Sequence, residues 1–161
     1  MKTTLIDALE CDNEEAIVEG FTERYNVSYE EAMDIFVETK KWLWLASQTD
    51  SSHTSLFIDR PLLIIDEMWH NFILHTKYYY KFCIQHFKQL IHHEPTSPQM
   101  KREQHKAILS NPTAALKEHE AKLQKQYGII YDHLGPETLL KWYETMAEKY
   151  TPEYIQSIKK Y

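Results

Sequence analysis

The sequence predicts an all-α protein, one domain over residues 1–161, built as an irregular or orthogonal bundle of about six or seven helices around a long central one. Three observations carry this expectation. Ser97-Pro98, Asn111-Pro112, Gly135-Pro136 and Thr151-Pro152 place proline behind a capping or turn residue, and proline in a first helical turn loses no useful N–H and presets φ. Apolar residues recur at helical spacing, whereas strand-like alternation is confined to two short candidates, LFI at 56–58 and GIIY at 128–131. Finally, 161 residues are the usual size for one core, and no linker rich in Gly or Ser divides them.

Taken in order, Asp12 or Asn13 can cap a first helix running to about Tyr25. Ser28 and Glu31 form a capping box for the second. Its Tyr29, Ala32, Met33, Phe36 and Leu43, widened by Ile35, Trp42 and Ala46, predict one broad buried face ending near Gln48. The polar run Thr49–Ser55 reads as a loop. With Asp59 as its cap, Pro61 to about Leu90 reads as the long central helix, with Trp69, Phe72, Tyr80 and Phe87 as core. Thr96 to Gln104 is polar enough to be an excursion. Leu116, His119, Leu123 and Tyr127 mark a more polar helix ending at Gly128, Leu139, Tyr143, Met146 and Tyr150 mark another, and a short last helix follows Pro152.

Composition excludes several classes of function. Eighteen basic against twenty-four acidic residues leave a net charge of −6, which disfavours phosphate backbones and anionic lipid as partners. Cys11 and Cys83 are too few for a disulfide framework, and the polar N-terminus lacks the apolar core of a secretory signal, so a reducing cytoplasm is expected. The most apolar windows, at 42–46 and 61–65, fall far short of the ~20 residues a membrane span requires. Glycine at 20, 128 and 135 alone rules out phosphate-cradling loops, and G-x-S-x-G is absent. Lys101, Arg102, Lys106, Lys117, Lys122 and Lys125 interleave with Glu103, Glu118 and Glu120, which reads as a solvated helical face.

Chemistry-bearing residues concentrate between Asp66 and Pro95, where DEMWHNFILHTKYYYKFC is followed by IQHFKQLIHHEP; this stretch holds five of the nine histidines and one of the two cysteines. In one straight helix Asp66 and His92 would lie about 39 Å apart along the axis, so the residues divide into two groups. Asp66 and His70, one turn apart, could bind a metal together, or the carboxylate could orient the imidazole. Cys83, His86, His92 and His93 form the second group if the helix breaks near Leu90 and the chain folds back. Zinc or another transition metal would draw on Asp66, His70, Cys83, His92 and His93, although no recognised zinc spacing is present. The plainer readings are Cys83 as a small buried hydrophobe, Asp66 with His70 as a polar link between helices, and His92 and His93 as donors to a helix C-terminus.

The pattern D-x-x-W-H, T-x-x-Y-x-x-F-C and H-H-x-P, carried by Asp66, Trp69, His70, Thr76, Tyr79, Phe82, Cys83, His92, His93 and Pro95, resembles the glycine-rich-domain-containing-protein-like family. The resemblance extends weakly over Tyr29 to Ala46 and implies no established reaction. The function expected is a cytoplasmic helical binding or interaction module, with Asp66, Trp69, His70, Thr76 and Tyr79 lining a groove for a protein or small-molecule partner. The alternative is a transition-metal-binding protein or metal-dependent enzyme using the Asp/His/Cys cluster.

Overall fold

The computed structural model describes residues 2–49 and 56–161, and over them the fold is all-α. The elements are α1 (Leu5–Ala8), α2 (Glu14–Arg24), α3 (Tyr29–Gln48), α4 (Leu63–Leu74), α5 (Thr76–Phe87), α6 (Pro98–Ser110), α7 (Pro112–Leu134), α8 (Pro136–Leu140), α9 (Met146–Lys149) and α10 (Pro152–Ile158). A 3-10 turn, Arg60–Leu62, leads into α4, and a π-helical turn, Lys141–Thr145, joins α8 to α9. The loop expected over 49–55 lies, beyond Thr49, outside the described residues. No helix among the described residues is long and apolar enough to cross a membrane.

The capping signals locate the helices well. Ser28, Ser97, Asn111 and Thr151 each accept a backbone N–H three residues on, satisfying one of the donors a helix start leaves open. Asn13 and Asp59 make no such bond; Asn13 instead sits in the left-handed region at φ +63°. The helix expected to end at Gly128 continues to Leu134, because Gly128 is tolerated inside it and Gly135, at φ +86°, supplies the stop. The excursion expected over 96–104 is helical from Pro98 onward.

α3 is the scaffold. Ala32, Ile35, Phe36, Leu43 and Leu45 are fully buried on it, and α2, α4 and α7 pack against it. It also buries two charges. Glu38 accepts the indole N–H of Trp142 at 3.0 Å and pairs with Lys41 at 3.0 Å and Lys141 at 3.3 Å. Lys40 donates to the carbonyl of Leu9 at 2.5 Å, faces Glu14 at 3.4 Å and lies over the Phe36 ring. Two residues apart on a helix means about 200° of rotation, so Glu38 grips the C-terminal helices while Lys40 grips the N-terminal turn.

The long helix expected from Pro61 to Leu90 is broken at His75. No proline or glycine is responsible. The His75 N–H bonds to Phe72 O, and the imidazole Nδ1 lies 3.0 Å from Asn71 O. The ring therefore takes the carbonyl that the backbone donor of a regular helix would occupy. Asn71 donates in turn to Ile17 O at 2.9 Å, tying the bend to α2. The bend rotates α5 so that Tyr79, Phe82, Cys83 and His86 face inward, while Tyr80, expected in the core, is 57% exposed.

Gly20 of α2 is where this bend seats. A Cβ there would meet His75 Cε1 at 2.7 Å and Nε2 at 3.0 Å. Alanine raises helix propensity by about 1 kcal/mol, but the overpacking costs about 1–3 kcal/mol. Gly20→Ala is expected to destabilise the protein in urea unfolding, and to stabilise it once His75→Ala has cleared the space; a Gly20→Ala penalty unchanged by His75→Ala would disprove the seating.

Glu38 supplies a second test. Glu38→Ala strands the Trp142 N–H and is expected to cost about 1–3 kcal/mol, whereas Glu38→Gln keeps an acceptor and should cost clearly less. Equal losses for the two variants would show that the carboxylate, and not the hydrogen bond to Trp142, is what matters.

Candidate functional site

After α5 the chain turns back on itself. Lys88 adopts φ +60°, a conformation in which a non-glycine residue is uncommon, and residues 90–97 then run without helix along the α4–α5 corner. Ile91 is buried there, and its carbonyl accepts the hydroxyl of Tyr79. Tyr79 in turn receives the Trp69 indole N–H at 3.0 Å. In a straight helix Trp69 and Tyr79 would be about 15 Å apart along the axis; the bend at His75 brings them together, with Phe72 edge-on to both Tyr79 and Phe36.

His93 closes this returning segment. Its Nε2 lies 2.6 Å from Asp66 Oδ1, and its ring sits 4.3 Å from that of Trp69. Beside the pair, Tyr25, which follows α2, donates its hydroxyl to Glu67. The hydrogen bond to Asp66 raises the His93 pKa, against an opposing effect of burial, and the charges of Asp66 and Glu67 add to the rise. The result is a latch in which buried Trp69, Tyr79 and Ile91 lie behind a half-buried Asp66–His93 pair.

Asp66 thus meets His93 from the returning segment, and His70 is exposed on α4. Thr76 and His92 are also exposed. Cys83 is buried, and His86 turns away to the Glu10 carbonyl at 2.8 Å. Asp66, His70, Cys83, His92 and His93 therefore do not converge, and among the described residues no three His, Cys, Asp or Glu side chains come together as a metal ligand set. Burial pushes the Cys11 thiol up to about 12, and burial raises Cys83 against the lowering influence of the Ile91 backbone and Tyr79, so neither is poised as a thiolate.

What the latch positions is the segment entering α6. None of the 13 residues of α6 is buried, and its principal contact is α7. α7 itself buries only Gln126 and Ile130, toward its C-terminal end. There Gln126 acts as a surrogate peptide, accepting Phe57 N–H and donating to Phe57 O, both at 2.9 Å, and to Tyr143. α6 and the first half of α7 thus form a helical arm without a buried side chain, resting on the body where His119 lies edge-on to Phe57. The sequence marked both helix starts and the solvated basic face, but no pattern within a helix reveals what covers it.

An all-α protein with a latched return segment and a projecting two-helix arm is the class these features define. The UCP032817-like family model matches residues 3–133, and the chain belongs to that family. The match overturns the resemblance to the glycine-rich-domain-containing-protein-like family. Much of that motif, Trp69, Tyr79, Phe82 and Cys83, is occupied in core packing, a demand that unrelated helical chains share. No curated protein and no solved structure matches the chain.

The latch has a pH signature. A histidine with a raised folded-state pKa contributes stability that is full below its unfolded value, about 6.5, and is lost as pH rises through the higher folded value. Asp66→Asn is expected to lower the His93 titration midpoint, followed by NMR of the imidazole Cε1 proton, and to flatten the fall in stability above pH ~6.5. An unchanged His93 midpoint would show that the pair does not form.

Proposed function

We propose that the chain is a cytoplasmic interaction module whose recognition surface is the α6–α7 arm. One observation carries this reading: α6 leaves Met100, Ile108 and Leu109 exposed at 52%, 52% and 68% in a helix that contributes nothing to the core. Leu116, across the Asn111-Pro112 turn, is 58% exposed, so the arm carries apolar side chains at its tip. Large apolar side chains gathered on a projecting element mark a contact surface.

The latch serves this arm. Asp66, Trp69 and Tyr79 act through His93 and Ile91 to fix the segment from which α6 departs. His70 and Thr76 are the members of the sequence-derived groove left for a partner to touch. A reading through thiolate chemistry has less support, since burial disfavours the thiolate at both cysteines, and a metal reading lacks a converging ligand set among the described residues.

A photo-reactive amino acid placed singly at Leu109, Leu116 or Tyr80 tests the assignment in expressing cells. Tyr80, 57% exposed on α5, is the body control. Discrete adducts are expected from the two arm positions; adducts from Tyr80 with none from the arm would move the recognition surface to the body.

A further inference from the structure

The arm and α2 carry opposite charges in matching rows. On α6, Arg102 and Lys106 stand one turn apart with Leu109 next along the same face, and all three are exposed. On α2, Glu15, Glu19 and Glu23 form a row at four-residue spacing, also exposed. None of these five charged side chains has an ion-pair partner among the described residues. Both rows advance by about 6 Å per step, so one can lie along the other. Within each row, like charges one turn apart repel, and opposite charge from outside relieves that repulsion.

Resting on the reading of the arm as the recognition surface, we propose that its occupant is a second copy of this chain. The Arg102–Lys106–Leu109 face of one protomer docks on the Glu15–Glu19–Glu23 row of the other. Exchange in both directions gives a closed two-fold pair. Arm-to-arm pairing is disfavoured, because residues 97–125 carry six basic against three acidic side chains and two such arms repel. Nucleic acid and anionic lipid are disfavoured by the net charge of −6 on the whole chain.

Sedimentation velocity of the purified full chain over a concentration series tests this. A dimer is expected at low salt, with a dissociation constant rising at least about tenfold at ~0.5 M salt, where screening acts over about 4 Å. Arg102→Glu with Lys106→Glu should abolish the dimer, as should Glu19→Lys with Glu23→Lys. All four substitutions in one chain should restore it, since the charges are then exchanged. If a reversed variant loses helical circular dichroism, Arg102→Gln with Lys106→Gln replaces it and should weaken the dimer.

A monomer at every concentration, or a dimer indifferent to either pair of substitutions, overturns the proposal. So does wild-type chain that stays monomeric yet sediments with phosphatidylserine vesicles, which assigns the basic row to lipid. Monomeric chain that still yields arm adducts in cells removes the second copy and leaves the arm as a recognition surface; absence of both removes the two together.

Discussion

The fold depends on two charges buried two residues apart on α3. Burying an ion is costly unless it is paired and hydrogen-bonded, and each of these is met by partners that straddle the surface. Lys41 and Lys141 reach in to Glu38 with 21% and 33% of their own side chains exposed, and Glu14 reaches Lys40 with 37% exposed. The buried charge is compensated while its counter-ion keeps much of its hydration. Because Glu38 and Lys40 point to opposite sides of the helix, they assign the chain's two ends to two faces of α3. Apolar contacts alone would leave that assignment weakly determined, since many apolar packings have similar energies.

From this scaffold, order passes outward through single polar substitutions for backbone groups. His75 offers a ring nitrogen where a regular helix would offer an N–H, and Gln126 offers a carboxamide where a sheet would offer a peptide. Each lets the chain change direction without leaving buried backbone unpaired. The first brings Trp69 to Tyr79, and the second pairs the backbone of the extended stretch at Phe57, whose neighbours Leu56 and Ile58 pack on the core.

How much of this was legible in the sequence follows from the range of each interaction. Helix starts act over three residues, so Ser28, Ser97, Asn111 and Thr151 could be read directly. The break at His75 could not, because histidine is compatible with a helix and its competing bond looks no different in sequence. Lys88 turns left-handed where glycine would have announced it. Residue type marks both Asp66 and His93 as candidates, but sequence spacing pairs Asp66 with His70 one turn away, while the partner it meets arrives from 27 residues along. The Asp66–Pro95 cluster carries a latch that chemistry-bearing residue types identify and only the folded chain assembles. The arm shows the complementary limit: its helices are local facts, its exposure a global one.

The contrast between α3 and the arm also divides the molecule by timescale. An amide opens by whichever route is cheapest, and a helix whose contacts are few can open without disturbing the rest. The amides of α3, closed in by α2, α4 and α7, are expected to be the last to exchange with solvent. Those of α6 rest chiefly on α7 and on no buried side chain. The molecule thus sets a closely packed body beside a helix with no buried side chain, and the amides of that helix are expected to open first.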